Sequence, residues 1–472
     1  MTFIRYKEIG NQTYAYEITA YYDKKTKTPK QKTKYLGLVK DKKNKIFEKQ
    51  QRRKPEKLLL DFGDSYLVQE ILRCTGYSDI LKELFEEQGY DVLALLAYRL
   101  CHNAAMMHAH TWFEGNCAKI FYKKADLHSQ RISDLLKILG EEVVQRMFFN
   151  KYFSKFSSGK NGIIIDGTSI PNQIHNPLTA CGRSGEEIDM QMRFLLVVDK
   201  VDLAPLFFRC LQGNIVDVSV LTNTIEELRA FGIKETYIYT DAGFFSEENI
   251  REMYNHQLQF LTRLPAGRII FKELMKTELE GLELSPNRVK YGKRGLFVKQ
   301  KKIKLFDHEA YAHIVLDPKR KGRELSRLVS DSLEDKTAKT EDLDYQFQTA
   351  GIMVLISSFD IPKEEVVPAY YVRQTAEVLF GFSKDDLDLV PLRVHSEQAI
   401  RGFLFLQFMT LIAFTQIKKK LSKEYSVDEA LNHMKNLKAK VYDNEILISE
   451  LTKEQKVICE KTNVIVPKTL GI

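Results

Sequence analysis

A series of short apolar runs between residues 161 and 264 constrains the fold of this 472-residue chain more than any other feature. The first three runs are strand-like and read "GIIIDGTSI", "MRFLLVVDK" and "APLFFRCLQGN". Beyond them, "ETYIYTDAGF" is a strand between two helical segments, "TNTIEELRAFG" and "SEENIREMYNHQ", and "LQFLTRL" is a further strand. Strands and helices in this succession predict an α/β layer architecture.

The residues before this segment follow two other patterns. From 58 to 158 apolar residues recur at spacings of three and four, which predicts a helical domain. Residues 1–57 are β-rich: "TYAYEITAYYD" and "KTKYLGLVK" flank the lysine-dense "KKTKTPKQ", as in a β-hairpin with a cationic tip. The first 60 residues hold 17 Lys/Arg and 6 Asp/Glu within a chain of net charge +8. This excess favours a DNA-binding region and linker over a merely solubilising segment. For the hairpin itself, an edge strand guarded by lysines is the alternative interpretation.

Beyond residue 264 the core pattern is interrupted and then resumes. Residues 265–348 are charged and partly strand-like, which predicts a mostly β insertion between two parts of the core, 159–264 and 349–420. Residues 421–472 are charged and predicted to be helical, with a role either in subunit pairing or in packing on the core. The apolar stretch 402–414 is too short to span a bilayer, so we expect a buried core helix and no membrane association.

The expected compartment is the cytoplasm, with an association with the nucleoid. The first ten residues lack the apolar segment of a secretory signal. The six cysteines are far apart and include no C-x-x-C pair, so we expect reduced thiols and neither a disulfide framework nor a zinc site.

Two aspartates stand where a catalytic carboxylate would be held rigidly. Asp166 and Asp241 each follow an apolar run that we interpret as a strand, and each precedes a glycine-containing turn. Asp199 has a similar position and shows that a turn-forming acidic residue is the alternative interpretation.

A third carboxylate lies on the segment "AYYVRQTAEVLFGFSK", residues 369–384, which is predicted to be helical. At about 100° per residue, Tyr370, Arg373, Glu377 and Lys384 share a sector only about 60° wide. A solvated face with helix salt bridges is the ordinary explanation. If Glu377 instead meets the two strand aspartates, three carboxylates can hold two Mg²⁺ ions for phosphodiester displacement.

The same four residues carry a family resemblance. Tyr370-(2)-Arg373-(3)-Glu377-(6)-Lys384 resembles the signature of the insertion-sequence four family of bacterial cut-and-paste DDE transposases. "IIIDGTSI" and "YIYTDAGFF" resemble the two aspartate blocks of the family, and "VHSEQAIRGFLFLQFMTLIAF" is similar to the helix after the glutamate block. The chain departs from many relatives at Gln374, where they have tryptophan directly after the signature arginine.

The resemblance implies a ribonuclease H-like mixed-sheet catalytic core of the α/β class. It also implies that Asp166, Asp241 and Glu377 are the catalytic metal ligands, for two Mg²⁺ ions with Mn²⁺ as a substitute. Tyr370, Arg373 and Lys384 would contact DNA. Family members act as dimers on double-stranded DNA, where they cut at terminal inverted repeats and join the freed ends to target DNA.

Two other functions stay open on the sequence. One is a sequence-specific DNA-binding protein that has lost its chemistry, and the other is a ribonuclease H-like nuclease that recognises branched DNA structures.

Overall fold

The computed structural model divides the chain into two compact units, and each is described here by itself. The first consists of Met1–Leu59, Lys440–Leu447 and Thr469–Ile472, and the second of Leu60–Ala439 and Ile448–Lys468. The structure describes residues 2–9, 12–23, 27–48, 58–102, 104–156, 162–172, 174, 176–184, 187–214, 218–233, 237–334, 340–374, 379, 381, 396–421, 424–443 and 445–471.

The N-terminal residues of the first unit form a four-stranded antiparallel sheet in the order β1-β2-β3-β4. Its strands are β1 (Thr2–Ile9), β2 (Gln12–Asp23), β3 (Thr28–Asp41) and β4 (Ile46–Glu48). The predicted hairpin is present, because β2 and β3 pair from Tyr14↔Leu38 to Asp23↔Thr28. Alternating tyrosine and branched residues favour this pleated structure. The predicted cationic tip lies partly at residues 24–26, which are outside the described residues.

Seven helices and one short strand follow in the described part of 58–156. They are β5 (Leu58–Asp61), α1 (Gly63–Cys74), α2 (Tyr77–Phe85), α3 (Gln88–Cys101), α4 (Ala109–Gly115), α5 (Ala118–Phe121), α6 (Ser129–Leu139) and α7 (Glu142–Phe156). The helical pattern predicted for this segment is therefore observed, and the strand β5 was not predicted. Leucine and aromatic side chains at helical spacing are buried between these helices, as Leu67, Leu96 and Phe148 show.

A ten-stranded mixed sheet is the centre of the second unit. Its strands are β6 (Ile163–Pro171), β7 (Ala180–Ser184), β8 (Glu187–Asp199), β9 (Pro205–Gln212), β10 (Tyr237–Thr240), β11 (Gln259–Leu264), β12 (Arg288–Tyr291), β13 (Arg294–Leu305), β14 (His308–Leu316) and β15 (Ile352–Ser357). The strand order is β12-β13-β14-β15-β11-β10-β6-β8-β7, with β9 paired to β8.

Parallel and antiparallel pairs occupy different parts of this sheet. Strands β6, β8 and β9 form an antiparallel meander. Strands β10 and β11 are parallel to β6 and to each other, as crossover connections through helices allow. The α/β class predicted from the sequence is therefore confirmed.

Nine further α-helices lie within the part of the chain that the structure describes. They are α8 (Val218–Ala230), α9 (Glu247–Asn255), α10 (Ile269–Glu278), α11 (Pro318–Glu334), α12 (Thr340–Thr349), α13 (Lys363–Tyr371), α14 (Glu397–Leu421), α15 (Val427–Lys435) and α16 (Lys453–Thr462). Hydroxyl caps begin several of them: the Ser246 hydroxyl accepts a hydrogen bond from the Asn249 N–H at the start of α9.

Helix α14 is the buried core helix predicted for residues 402–414. By length and composition it could cross a membrane, but 89% of its most apolar window is buried inside the protein. Gly402 allows a close approach to α6, because a Cβ atom at this position would lie 1.8 Å from the carbonyl oxygen of Leu136.

Two predicted segments differ from the structure. Residues 265–348 were predicted to be a mostly β insertion, but they contain the helices α10, α11 and α12, and their strands β12–β14 continue the central sheet. Hydrogen bonding of β14 to β15 causes this, because the pairing extends the core instead of closing a separate sheet. Residues 421–472 were predicted to be helical, and they also contain β16 (Lys438–Val441), β17 (Glu445–Ile448) and β18 (Thr469–Gly471). The strands β17 and β18 pair antiparallel.

Candidate active site

The sequence suggested that Asp166 follows a strand, but the residue lies in the middle of β6. The strand continues to Pro171 because its long neighbour β8 pairs with it, from Ile163↔Asp199 to Pro171↔Gln191. The residue is 6% exposed, and one carboxylate oxygen accepts a hydrogen bond from the Gly167 N–H at 3.0 Å. Asp166 is therefore held within a strand that has a paired strand on each side.

Asp241 directly follows β10, as predicted. Its carbonyl oxygen accepts a hydrogen bond from the Thr262 hydroxyl at 3.2 Å, which ties this strand end to β11. Thr240 is the register partner of Ile165 in the parallel pair β10–β6. The next residues on the two strands are Asp241 and Asp166, so the two aspartates are neighbours across the sheet.

The segment that carries the four-residue signature is not one continuous helix. Helix α13 begins after Pro362 and ends at Tyr371. Arg373 lies in the following turn, where its N–H donates to the Tyr370 carbonyl oxygen at 3.2 Å. Pro368 inside α13 lacks a backbone donor, and the bond from Arg373 three residues back tightens the chain at this point.

Tyr370 and Arg373 still lie on one side of the chain across this turn, because side chains at i and i+3 eclipse in a 3₁₀-type turn and both reach the same Asp241 oxygen. The other two predicted residues, Glu377 and Lys384, lie outside the described residues.

The structure brings the four described site residues together. The Arg373 guanidinium has one nitrogen 3.1 Å from an Asp166 carboxylate oxygen and another 3.8 Å from an Asp241 oxygen. The Tyr370 hydroxyl donates to the same Asp241 oxygen at 3.3 Å. The Arg373 guanidinium carbon also lies 5.5 Å from the centre of the Tyr370 ring. Two carboxylates from adjacent strands thus face one cationic group.

The side chains of the centre differ in their exposure to solvent. The Asp166 and Arg373 side chains are 9% and 13% exposed, whereas the Asp241 side chain is 40% exposed. Burial raises the pKa of Tyr370 to about 12, although the positive charges of Arg373 and Arg263 oppose this shift. The phenol therefore stays protonated at neutral pH and acts as a hydrogen-bond donor.

Arg263 is a site residue that the sequence reasoning missed. It follows Thr262, the register partner of Thr240, so it lies in one row with Asp241 and Asp166 across β11, β10 and β6. It forms no ion pair with any residue that the structure describes. The signal in the sequence was the repeated step from a strand threonine to a charged residue, Thr240 to Asp241 and Thr262 to Arg263.

The donor set of the centre suits a hard divalent cation. Both carboxylates direct an oxygen at the same guanidinium, and carboxylate oxygens are the ligands that Mg²⁺ and Mn²⁺ prefer. Among the described residues there is no group of three His, Cys, Asp or Glu side chains that could hold a metal ion. The described part of the centre thus supplies two ligands.

The fold and the site together define an α/β protein with a carboxylate centre formed by Asp166, inside β6, and Asp241, directly after the neighbouring parallel strand β10. A sequence model of the family described as "Transposase DDE domain" matches residues 157–413, which is more than half of the chain. The chain belongs to this family of transposases.

The chain is also similar to one solved transposase structure at low sequence identity. The cryo-EM structure of a piggyBac transposase synaptic complex with hairpin DNA is similar over 74% of this chain and 70% of that chain, with a TM-score of 0.42 and 11% identity. No curated protein matches the chain.

Proposed function

We propose that this transposase belongs to the insertion-sequence four family and performs cut-and-paste transposition of its own element. In this proposal it binds the terminal inverted repeats as a homodimer, cuts the DNA strands in a Mg²⁺-dependent reaction and joins the freed ends to target DNA. The observation that carries the proposal is the convergence of the Asp166 and Asp241 carboxylates, from adjacent strands, on one cationic group. A structural ion pair would need only one of them.

The catalytic core is proposed to be ribonuclease H-like. An antiparallel meander, β6-β8-β9, followed by the two parallel strands β10 and β11, supports this assignment. Asp166 lies in the first strand of this set and Asp241 directly follows the fourth, so that residues 75 positions apart in the chain lie side by side.

Asp166 and Asp241 would hold Mg²⁺, and we propose that Glu377 completes the ligand set. When bound, the metal ions neutralise charge and activate the attacking oxygen for phosphodiester displacement. The chain's own cationic residues bind the substrate: Arg373 can form a bidentate contact with a phosphate once it leaves the carboxylates. Tyr370, which keeps its proton, donates a hydrogen bond to a phosphate oxygen, and Lys384 is proposed to bind the DNA backbone further along.

Strand cutting by purified protein tests the proposal. The substrate is plasmid DNA that carries the sequences flanking the gene, with Mg²⁺ or Mn²⁺ present. We expect Asp166→Asn, Asp241→Asn and Glu377→Gln each to abolish cutting and to retain DNA binding. Glu364→Gln is the matched control, because this carboxylate lies exposed on α13 and pairs only loosely with Lys363 at 3.9 Å.

The outcome also separates the two alternative functions. Binding to the flanking sequences without cutting, in the wild type as well as in the variants, would support a DNA-binding protein without chemistry. Cutting of branched DNA in preference to the flanking sequences would support a structure-specific nuclease. Cutting that survives each of the three substitutions would contradict the metal assignment.

A further inference from the structure

Three lysines occupy alternate positions in the first half of β3. Lys30, Lys32 and Lys34 are exposed, and because side chains alternate along a strand they lie on one face of the N-terminal sheet. The residues directly opposite them on β2 are Tyr21, Thr19 and Glu17. This lysine stripe accounts for part of the positive charge that the sequence concentrates in the first 60 residues.

Most of the stripe has no partner within the described chain. Lys32 and Lys34 form no ion pair with any described residue, although Glu17 lies across from Lys34. Lys30 lies 2.6 Å from an Asp23 oxygen, but its side chain is 45% exposed. Exposed ion pairs contribute at most about 1 kcal/mol, so an incoming anion can replace Asp23. Tyr21 is 49% exposed and its hydroxyl has no described partner, which adds a donor beside Lys30.

The spacing of the stripe matches that of a nucleic-acid backbone. Alternate residues of an antiparallel strand are about 6.8 Å apart. A DNA strand rises about 3.4 Å per nucleotide and completes a turn in about 10 base pairs, which places adjacent phosphates about 7 Å apart. Each lysine can therefore meet a successive phosphate with β3 extended along the strand.

The neighbouring part of the hairpin is narrow enough to follow a groove. Strand β1 pairs with β2 only as far as Thr19. Beyond that point β2 and β3 continue as a two-stranded ribbon through Asp23 and Thr28. A two-stranded ribbon fits the major groove of B-form DNA, which is about 12 Å wide.

We propose that Lys30, Lys32 and Lys34 bind successive phosphates of one strand of double-stranded DNA, with Tyr21 donating to the same backbone. This inference rests on the proposed function, since it assigns a surface by which the transposase holds its DNA. It makes no use of the carboxylate centre, so the two can fail separately.

The salt dependence of DNA binding tests the proposal. The full chain is titrated in a metal-free buffer with a short DNA duplex of arbitrary sequence, and fluorescence anisotropy is read at several KCl concentrations. Each phosphate contact contributes about 0.9 to the slope of log K against log [salt]. We expect Lys32→Gln/Lys34→Gln to reduce the magnitude of this slope by about 1.8 and to weaken binding more than tenfold at low salt.

A second double variant removes the same charge elsewhere. Lys42→Gln/Lys43→Gln changes two exposed lysines in the turn after β3 and should reduce the slope much less. Lys32→Arg/Lys34→Arg should keep the wild-type slope, which shows that the charge and not the fold is responsible. Equal losses in the two glutamine variants, or an unchanged slope in Lys32→Gln/Lys34→Gln, would overturn the proposal.

DNA cutting, which tests the proposed function, is measured on the same proteins. Metal-dependent cutting that requires Asp166, together with an unchanged slope, would remove the lysine stripe and leave the transposase assignment intact. A reduced slope without any cutting by the wild type would do the reverse. A reduced slope on single-stranded DNA alone would contradict the assignment to a duplex.

Discussion

The contact between Arg373 and Asp166 should make a measurable contribution to the stability of the metal-free protein. The two charged groups are 3.1 Å apart, and both side chains are nearly buried. At an effective dielectric constant of about 20, Coulomb's law gives about 5 kcal/mol at this distance before desolvation is subtracted. Removal of one partner of a buried pair costs about 3–5 kcal/mol. We expect Arg373→Met to lose about 3 kcal/mol of unfolding free energy in the absence of metal.

A double-mutant cycle isolates this pair from the other contacts of its members. Asp166→Asn should cost less than Arg373→Met, because the guanidinium keeps Asp241 at 3.8 Å. The double variant should lose less than the sum of the two single losses, with a coupling energy of about 2 kcal/mol. Urea unfolding of the four proteins in a buffer with a chelator measures these quantities. A coupling energy below about 0.5 kcal/mol would refute the reasoning.

Divalent metal should reverse part of the loss. In Arg373→Met the two carboxylates repel each other without a cation, so Mg²⁺ or Mn²⁺ binding relieves this repulsion. In the wild type Arg373 contacts both carboxylates, so a metal held by Asp166 and Asp241 would have to displace the guanidinium. The variant should therefore be stabilised at lower metal concentration than the wild type, as the shift of the urea midpoint with metal concentration reports. Equal metal responses of the two proteins would show that Arg373 and the metal do not compete for the carboxylates.

Three further predictions concern His313, Gly402 and Arg263. His313 is fully buried, and burial lowers its pKa to about 4. The stability that the neutral imidazole allows above pH 6.5 should therefore fall by up to about 3 kcal/mol as the pH drops to 4. Thermal unfolding of His313→Gln should show a flatter pH dependence than that of the wild type. Gly402→Ala should cost roughly 1–3 kcal/mol in urea unfolding because its Cβ meets the Leu136 carbonyl, whereas Gly267→Ala, with open space around it, should not. Arg263→Gln should lower the rate of DNA cutting at least tenfold with unfolding free energy unchanged within about 0.5 kcal/mol; an unchanged rate would remove Arg263 from the site.

The sequence predicted the elements well where local pattern decides them. The strand–helix alternation after residue 161, the N-terminal hairpin, the helices before residue 157 and the position of Asp241 after a strand are all present. Asp199 illustrates the opposite case, since its carboxylate accepts N–H groups of Val201 and Asp202 in a turn, as the alternative interpretation of strand-end aspartates required.

Pairing between distant segments produced the differences. No local signal reports that β8 is long enough to extend β6 past Asp166, or that β14 pairs with β15 and so joins residues 265–348 to the core. The break after Tyr371 did have a local signal in Pro368. The helical periodicity of the neighbouring residues concealed it, because periodicity depends on side-chain character and does not detect a missing backbone donor.

The carboxylates and the cationic residue of the site belong to different kinds of secondary structure. Asp166 and Asp241 are fixed by the central strands of a ten-stranded sheet, with paired strands on both sides. Arg373 and Tyr370 come from the turn after a helix and from the end of that helix, and the Arg373 N–H donates to the Tyr370 carbonyl oxygen. If a metal ion replaced the guanidinium, as the proposed function requires, we would expect Arg373 to move and the strands to keep their register. In the proposed function Asp166 and Asp241 would hold the metal from these strands, and Arg373 would then be available to bind a phosphate.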